Sequence, residues 1–351
     1  MNLERENSDG RPAAGALVVS LDFELHWGVR DFIPLDAKER ERLLAARAVI
    51  PRILDLFEEF SIHATWATVG ILFARTREEF NEFRPKAAPR YRNSAFDPYR
   101  EAIGWDESED PFHFAPSLIA EIASRPGQEI ASHSFSHYYC LEEGATLQDF
   151  SADLNSAMAL ARYTGYELRS YVFPRNQVDL ACMPVLRRAG IESYRGVEEA
   201  GAKRPRRFHQ QRRWKNRLGR LLDSYWDVNG SQTSKWPEPV PPVSLRASRY
   251  FRPSNNALRS FEGLLIERIR KAMLHAAEQR EMFHLWWHPE DFAGNPDANL
   301  RNLREVLQLF AHYRALHEMQ SISMLEAFVP IVTDSESVLA SQQGRSLEPS
   351  M

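Results

Sequence analysis

The sequence predicts an α/β fold in which parallel strands alternate with helices. Short apolar runs rich in β-branched and aromatic residues alternate along the chain with longer amphipathic stretches. The strand-like runs are mostly apolar on both faces, as expected for strands that helices cover on both sides. Such alternation implies parallel strands joined by right-handed crossovers, and both an open doubly wound sheet and a barrel fit it.

Seven strands follow from this pattern. In chain order they read ALVVSLD (16–22), IHATWATVG (62–70), QEIAS (128–132), LRSYVFP (168–174), IESYRG (191–196), MFHLWWH (282–288) and MQSIS (319–323). The amphipathic stretches between them predict helices at 37–60, 116–124, 147–165, 178–190, 256–280 and 299–317. Pro51 is expected to start or kink the second half of the first helix, because it has no backbone N–H to donate.

The chain of 351 residues is long enough for one large domain, which we place at 15–332. Two polar, aperiodic ends, 1–14 and 333–351, are expected to be disordered tails. Two stretches interrupt the strand–helix rhythm, near 74–115 and 201–257, and we interpret both as long loop insertions.

Composition excludes several classes of protein. Hydrophobic residues make up 43% and charged residues 26%, as in ordinary globular proteins, and the net charge of −4 argues against nucleic-acid binding. Two cysteines, Cys140 and Cys182, argue against a disulfide scaffold. The polar start of the chain and the lack of a run of about 20 apolar residues lead us to expect a cytoplasmic protein.

One basic run departs from this balance. Residues 203–220 carry no acids and include Phe208 and Trp214. Basic residues mixed with aromatics suit an anionic membrane surface or a lipid-linked glycan, which would place the protein at the inner face of the membrane. A plain solvated helix is the alternative interpretation.

Polar side chains gather where the predicted strands end. Asp22 and Glu24 end the first strand, His133 and His137 follow the third, and His288 ends the sixth. Carboxyl ends of parallel strands share one edge of a sheet, so these side chains are expected to lie together. Taken alone, the histidine pair could equally be incidental, and the carboxylates could cap loops.

This set of residue types suits a metal site. Two imidazoles and one carboxylate can hold a divalent ion such as Zn²⁺ and leave positions open for water and substrate. A bound ion lowers the pKa of water and polarises a carbonyl. A second carboxylate can then act as general base and a further histidine as general acid.

The same residues resemble the motifs of the polysaccharide deacetylases, the NodB-homology group of carbohydrate esterase family four. SLDFE is similar to the first motif of that family, HSFSH to its H-[ST]-x-x-H metal motif, and LWWHP to its final L-x-x-H motif. HATWATVG resembles the strand that commonly reads A-T-F-F-x-x-G, and VFPRNQ lies where R-x-P-x-[WY] is expected. The motifs occur in the family's order from about residue 16 to about residue 330.

The resemblance implies a distorted (β/α)7-type barrel, a divalent metal that is most often Zn²⁺, and removal of acetyl groups from a sugar. Asp22 matches the catalytic base and His288 the general acid. Glu24, His133 and His137 match the metal ligands, with Glu24 in the variant in which one residue separates the two acids.

Two family residues have no direct match. Val172 stands where the family has an arginine that orients the base, and Arg175 is our hypothesis for a substitute. Arg175 also follows the motif proline, so its backbone N–H is expected to face the oxyanion. The family's fourth-motif acid is missing from IESYRG, which offers Arg195. Asp291 and Asp227 are candidate partners for His288.

Aromatic residues near these motifs suggest a surface on which a sugar stacks. Trp27, Trp66 and Trp287 are our candidates for substrate contacts, with Trp286 beside them. Packing in the core is the alternative for each of them. His26 and His284 also lie near the motifs, and for His284 a packed structural role is favoured.

The predicted function is therefore metal-dependent hydrolysis of acetyl groups, most often N-acetyl, on a sugar or polysaccharide precursor. One alternative is hydrolysis of a non-sugar C–N amide bond on the same fold. The other is a catalytically silent homologue that binds a carbohydrate or a partner, which the missing motif-three arginine suggests.

Overall fold

The computed structural model describes residues 14–197, 232–238, 240–255 and 260–327. Nine strands form one sheet in which neighbouring strands run parallel. They are β1 (Ala16–Phe23), β2 (Ala64–Thr68), β3 (Gln128–Ser132), β4 (Ser170–Tyr171), β5 (Ser193–Gly196), β6 (Val243–Arg246), β7 (Arg249–Tyr250), β8 (Met282–Trp287) and β9 (Gln320–Ile322).

The sheet curls into a barrel. Its strand order is β6-β5-β4-β3-β2-β1-β8-β7, and β9 pairs with the first half of β1. The two edge strands, β6 and β7, are separated in the chain only by Ala247 and Ser248. Ala247 N–H donates to Gly196 O at 2.9 Å and Ser248 N–H to His284 O at 2.9 Å, so these two residues join the edges. The predicted distorted (β/α)7-type barrel is thereby confirmed.

Within the described ranges seven helices accompany the strands: α1 (Ala37–Phe60), α2 (Arg77–Phe83), α3 (Pro116–Ser124), α4 (Leu147–Tyr163), α5 (Met183–Arg188), α6 (Glu262–Gln279) and α7 (Pro296–His317). The side chain of Asp36 caps α1 by accepting a hydrogen bond from the N–H of Glu39. Contrary to our expectation, α1 continues through Pro51 as a single helix. Apolar residues on both sides of the proline, such as Ile50 and Ile53, are buried, and their packing keeps the helix intact.

Strand alternation divides the core in two. Leu17, Val19, Leu21 and Phe23 of β1 point outward into the main hydrophobic core between the barrel and the helices. The inward-facing residues at the start of the strands, such as Ala16 and Val18, form a smaller apolar cluster inside the barrel. Moving along β1, Ser20 and Asp22 replace these apolar residues. The interior therefore becomes polar toward the carboxyl ends of the strands.

The predicted insertion at 74–115 packs over that end of the barrel. Trp27 Nε1 donates to His113 O at 3.0 Å, and Tyr139 N–H donates to Tyr91 Oη at 2.8 Å. The segment contains α2 and several short 3-10 turns. In the second predicted insertion, 201–257, the described part holds β6 and β7, which the sequence analysis did not predict.

Several predictions concern residues outside the described ranges. The residues concerned are most of both tails and residues 201–231, a range that includes the basic run 203–220 and Asp227. Among the helices that are described, none combines the length and the apolar character needed to cross a membrane.

Candidate active site

Asp22 lies at the inner end of β1 and forms a buried ion pair with Arg195 of β5. The two guanidinium nitrogens of Arg195 donate to the two carboxylate oxygens of Asp22 at 2.5 and 2.6 Å. Arg195 also donates to Ser20 Oγ at 3.1 Å and to Asn176 Oδ1 at 3.0 Å. Burial raises the pKa of Asp22, but the charge and hydrogen bonds of Arg195, together with His133 and His288, outweigh burial and hold the pKa below its usual value. Asp22 is therefore held as a carboxylate.

The side chain of Glu24 contacts both histidines of the HSFSH segment. Its Oε1 lies 2.9 Å from His133 Nε2 and 3.0 Å from His137 Nε2, and all three side chains are buried. One ligand atom of each side chain lies within 4.8 Å of the other two, close enough for the three to share one ion. Burial raises the pKa of Glu24, but the surrounding histidines, including His288, together outweigh burial and hold the pKa well below its usual value.

In both histidines, the hydrogen bond made by Nδ1 shows that Nε2 is the nitrogen available to bind a metal. His133 Nδ1 lies 2.8 Å from Val172 O, which can only accept, so Nδ1 carries the proton. His137 Nδ1 lies 3.2 Å from Tyr139 Oη, whose proton goes to Asp31 Oδ1. Both Nε2 atoms then present lone pairs.

Three acceptors therefore converge, the two Nε2 atoms and Glu24 Oε1. Burial lowers the pKa of His137 to about 4, which favours the neutral imidazole that binds metals. Converging lone pairs with no proton between them repel each other unless a cation lies among them. Glu24, His133 and His137 thus fit a divalent ion such as Zn²⁺.

The loop between the two histidines is held in an unusual backbone conformation. Ser134 and His137 have φ values of 61° and 58°, in the left-handed region that non-glycine residues seldom adopt. Asp153 of α4 stabilises the loop by accepting from Phe135 N–H at 2.7 Å and from both the N–H and hydroxyl of Ser136. Ser134 Oγ accepts from Tyr138 N–H at 2.7 Å. These bonds aim both rings at Glu24.

His288 approaches the same centre from the end of β8. Its Nε2 lies 3.8 Å from both Asp22 Oδ2 and Glu24 Oε1. On the other side, Nδ1 lies 3.0 Å from Asp291 Oδ2, which also accepts from Tyr250 Oη at 2.5 Å. Burial lowers the pKa of His288, but Glu24 and Asp291 outweigh it and raise the pKa well above its usual value. His288 is thus held as a proton donor.

Glu290 fixes the backbone of the carboxylate ligand. Its Oε1 accepts from Glu24 N–H at 3.0 Å and from Leu25 N–H at 2.6 Å. Burial raises the pKa of Glu290 to about 7, and the nearby charge of Glu24 adds to the effect. The sequence analysis did not select Glu290, although its place two residues after His288 was a usable signal.

Arg175 lies near the site but does not contact Asp22. Its guanidinium donates to Asp31 Oδ1 at 2.6 Å and stacks on the ring of Tyr139 at 4.1 Å. Arg175 therefore acts on the site through Tyr139, which contacts His137. The hypothesis that Arg175 replaces the motif-three arginine at the base is not supported, because Arg195 occupies that position.

The structure does not support substrate contacts for three of the predicted tryptophans. Trp27, Trp66 and Trp287 are all 0% exposed. Trp66 and Trp287 pack on Phe57 from the outer face of the barrel. Trp286, by contrast, is partly exposed; it covers the Arg195 guanidinium at 4.3 Å and lies edge-on to His288.

The alternation of side chains between the two faces of β8 explains why Trp286 lies at the site and Trp287 does not. Residues two apart on a strand share a face, so Trp286 shares a face with His288 and Trp287 does not. His284 shares that inner face too, and its Nε2 lies 2.8 Å from Ser20 Oγ, in agreement with a structural role. Of the two candidate partners for His288, Asp291 contacts it through Nδ1, and Asp227 lies outside the described residues.

Comparisons with known proteins agree with this geometry. A family model described as polysaccharide deacetylase matches residues 43–194, which include His133 and His137. Among curated proteins, none matches the chain significantly.

Solved structures with low sequence identity share the fold. A protein described as a polysaccharide deacetylase from Mycobacterium smegmatis is 14% identical, with a TM-score of 0.55, over 97% of this chain and 94% of that one. Another, described in the same terms and from Pseudomonas aeruginosa PAO1, is 12% identical, with a TM-score of 0.52, over 90% of both chains. At these identities the likeness concerns the fold alone.

Proposed function

We propose that this chain is a polysaccharide deacetylase, a hydrolase of carbon–nitrogen bonds other than peptide bonds. On that premise it removes N-acetyl groups from a sugar or polysaccharide precursor with a divalent ion, Zn²⁺. One observation supports this proposal above the others. Glu24 Oε1 lies at 2.9 and 3.0 Å from the Nε2 atoms of His133 and His137, and His288 Nε2 lies 3.8 Å from both Glu24 and Asp22.

Glu24, His133 and His137 would hold the ion. When bound, such an ion supplies Lewis-acid activation of water and of the acetyl carbonyl. Asp22 lies next to this centre as a carboxylate and accepts a proton from the attacking water. The water oxygen forms a bond to the acetyl carbon.

His288 completes the proton inventory. As the bond between the acetyl carbon and the sugar nitrogen breaks, protonated His288 donates to the departing nitrogen. The products are acetate and the free amino sugar. Asp291 positions His288 through Nδ1, so Nε2 faces the centre.

The turn after β4 offers a donor for the developing oxyanion. Pro174 begins this turn, and Arg175 and Asn176 have φ values of 56° and 52°. Asn176 contacts Arg195, which places the turn beside Asp22. We assign to the backbone N–H of Arg175 the role of oxyanion donor.

The binding-only alternative was suggested by the missing motif-three arginine. Arg195 contacts both oxygens of Asp22 and so supplies a partner for the base from another strand. A catalytic role is therefore favoured over a silent one. The substrate is assigned from the chemistry of the family, and the basic run at 203–220 lies outside the described residues.

The test is acetate release from N-acetylated sugars, free and lipid-linked, by metal-stripped protein before and after Zn²⁺ is added. We expect activity only after reconstitution, and a loss of about 10²–10⁴-fold in Asp22→Asn. Asp55→Asn, an exposed acid on α1, is the matched control and should leave turnover unchanged.

Two outcomes would contradict the proposal. Reconstituted protein that releases ammonia or ring-opened products from non-sugar amides, and no acetate from sugars, would favour the amide-hydrolase alternative. Full activity in Asp22→Asn would remove Asp22 from its role as base.

A further inference from the structure

A second group of imidazoles and carboxylates lies outside the active site. His26 is in the turn after β1, while Glu101 and His113 belong to the segment 74–115. Glu101 Oε1 lies 3.8 Å from His26 Nε2 and 3.9 Å from His113 Nε2. The ring centroids of the two histidines are 5.2 Å apart. One ligand atom from each of the three residues thus lies within 4.8 Å of the other two.

The hydrogen bonding of His113 leaves one ring nitrogen free for a ligand. His113 Nδ1 lies 2.8 Å from Asp110 Oδ2, so this nitrogen carries the proton and donates it to the carboxylate. His113 Nε2 then has a lone pair and, over the described ranges, no hydrogen-bond partner. A carboxylate behind an imidazole is the arrangement that orients metal-binding histidines.

Burial makes these nitrogens costly to leave without a partner. His26 and His113 are 1% and 0% exposed, and His113 Nε2, which faces Glu101, has no hydrogen-bond partner in the described part of the chain. A buried polar atom without a partner costs about 1–3 kcal/mol. Glu101 is 27% exposed, so an ion can reach the group from solvent on that side.

The surrounding charges permit a cation here. Glu101 and Asp110 bring two carboxylates to the group. Of the nearby arginines, Arg30 donates to the carbonyls of Ala95 and Phe96, and Arg42 forms an ion pair with Glu39. Both guanidinium groups are therefore engaged elsewhere.

We propose that His26, Glu101 and His113 form a second binding site for a divalent transition-metal ion, and that Zn²⁺ is the ion they suit. Two imidazoles and a carboxylate are typical zinc ligands. The site joins two parts of the chain that already meet, since His26 N–H donates to Phe112 O at 3.2 Å. A metal at this point fastens the segment 74–115 to the turn that follows Glu24. Its role is structural.

The test counts zinc in full-length protein whose active-site ligands have been removed. Metal-stripped Glu24→Gln/His133→Ala is titrated with Zn²⁺ by calorimetry, and bound metal is measured by mass spectrometry after dialysis. We expect about one zinc ion per chain in this background and none once His113→Ala is added. His312→Ala, an exposed histidine of α7, is the matched control and should leave the count at one.

A second variant guards against misfolding of His113→Ala. Glu101→Gln keeps the size of a partly exposed side chain and should weaken zinc binding by about tenfold or more, with an unchanged circular dichroism spectrum. No zinc in the starting background, or one zinc that survives both substitutions, would overturn the proposal. These counts do not depend on deacetylation, so a failure of the proposed function is a separate result.

Discussion

Arg195 is a buried cation enclosed by partners on several sides. Asp22 binds both of its terminal nitrogens, and the ring of Trp286 covers its face at 4.3 Å. A guanidinium matches a carboxylate with two parallel hydrogen bonds, which fixes the orientation of the carboxylate as well as its charge. Arg195 is therefore a positioning residue for the base.

Replacing Arg195 with lysine should separate these two effects. Arg195→Lys keeps the positive charge but loses the planar fork, so Asp22 remains ionised and is no longer fixed. We expect kcat/KM to fall about 10²-fold, which steady-state kinetics measures. Arg169→Lys, in the ion pair with Glu192 before β5, is the control and should change activity little. Wild-type kinetics in Arg195→Lys would show that orientation of Asp22 does not limit the rate.

Asp291 should control the alkaline limb of the pH–rate profile. The general acid is active only when protonated, so activity falls as the pH rises through the pKa of His288. Glu24 and Asp291 raise that pKa against the effect of burial. Asp291→Asn removes one negative charge, so the alkaline limb should move to lower pH. A limb that stays in place would mean that another group limits the rate at high pH.

The site residues differ in how well sequence could predict them. Asp22, Glu24, His133, His137 and His288 end parallel strands, and topology alone brings such positions together. Arg195 also ends a strand, but nothing in IESYRG says which acid it pairs with. That pairing depends on which strands lie across the barrel from each other. Strand alternation places Trp66 and Trp287 on the outer face of the barrel, whereas Trp27 lies in the turn after β1, where alternation gives no guidance.

At the scale of elements, the HSFSH loop depends on a neighbouring helix. Asp153 of α4 is buried and accepts hydrogen bonds from two consecutive N–H groups of the loop. The left-handed residues Ser134 and His137 cost free energy that the surrounding structure must supply. The helix thus holds the loop that carries His133 and His137 in place.

Asp153→Asn should weaken the metal site. The amide has the shape of the carboxylate, but its NH₂ group faces N–H donors and cannot accept from them. We expect zinc affinity at the active site to fall about 10–100-fold, measured by competition with a chelator. Asn155→Ala, on the exposed side of the same helix, provides the comparison and should bind zinc as the wild type does. Equal affinities in the two variants would argue against this role for α4.

Long amphipathic helices could be predicted from the sequence, whereas the two shortest strands of the proline-rich segment could not. Helices such as α1 and α4 span several turns, and their buried residues repeat with helical spacing. The strands β6 and β7 have four and two residues in a proline-rich stretch, so no periodicity could reveal them. Only the barrel around them makes them strands.

At the scale of the whole molecule, closure of the barrel passes through two residues. Ala247 and Ser248 carry the chain from β6 to β7 and hydrogen bond to strands on opposite sides. One side leads to β5 with Arg195, and the other to β8 with His288. The partner of the base and the general acid are therefore positioned by the same short link.

Two glycines inserted between Ala247 and Ser248 should disrupt both stability and activity. The insertion breaks two backbone hydrogen bonds, each worth about 1 kcal/mol, and separates the edge strands. We expect a loss of about 2 kcal/mol or more in urea unfolding, together with a lower kcat. The same insertion between Lys86 and Ala87, in an exposed loop, should cost less than about 1 kcal/mol. Equal losses at both places would show that the link is not special.

In the segment LWWHP at the end of β8, a core residue and a site residue are adjacent in sequence. Trp287 fills the outer core beside Phe57, and His288, next in sequence, faces the acids inside the barrel. If β8 paired one residue out of register, Trp287 would point into the barrel among the site residues. His288 would then point outward into the core under the helices. No such molecule could turn over substrate. Specific activity is therefore expected to fall with any fraction of chains in which β8 pairs with β1 out of register.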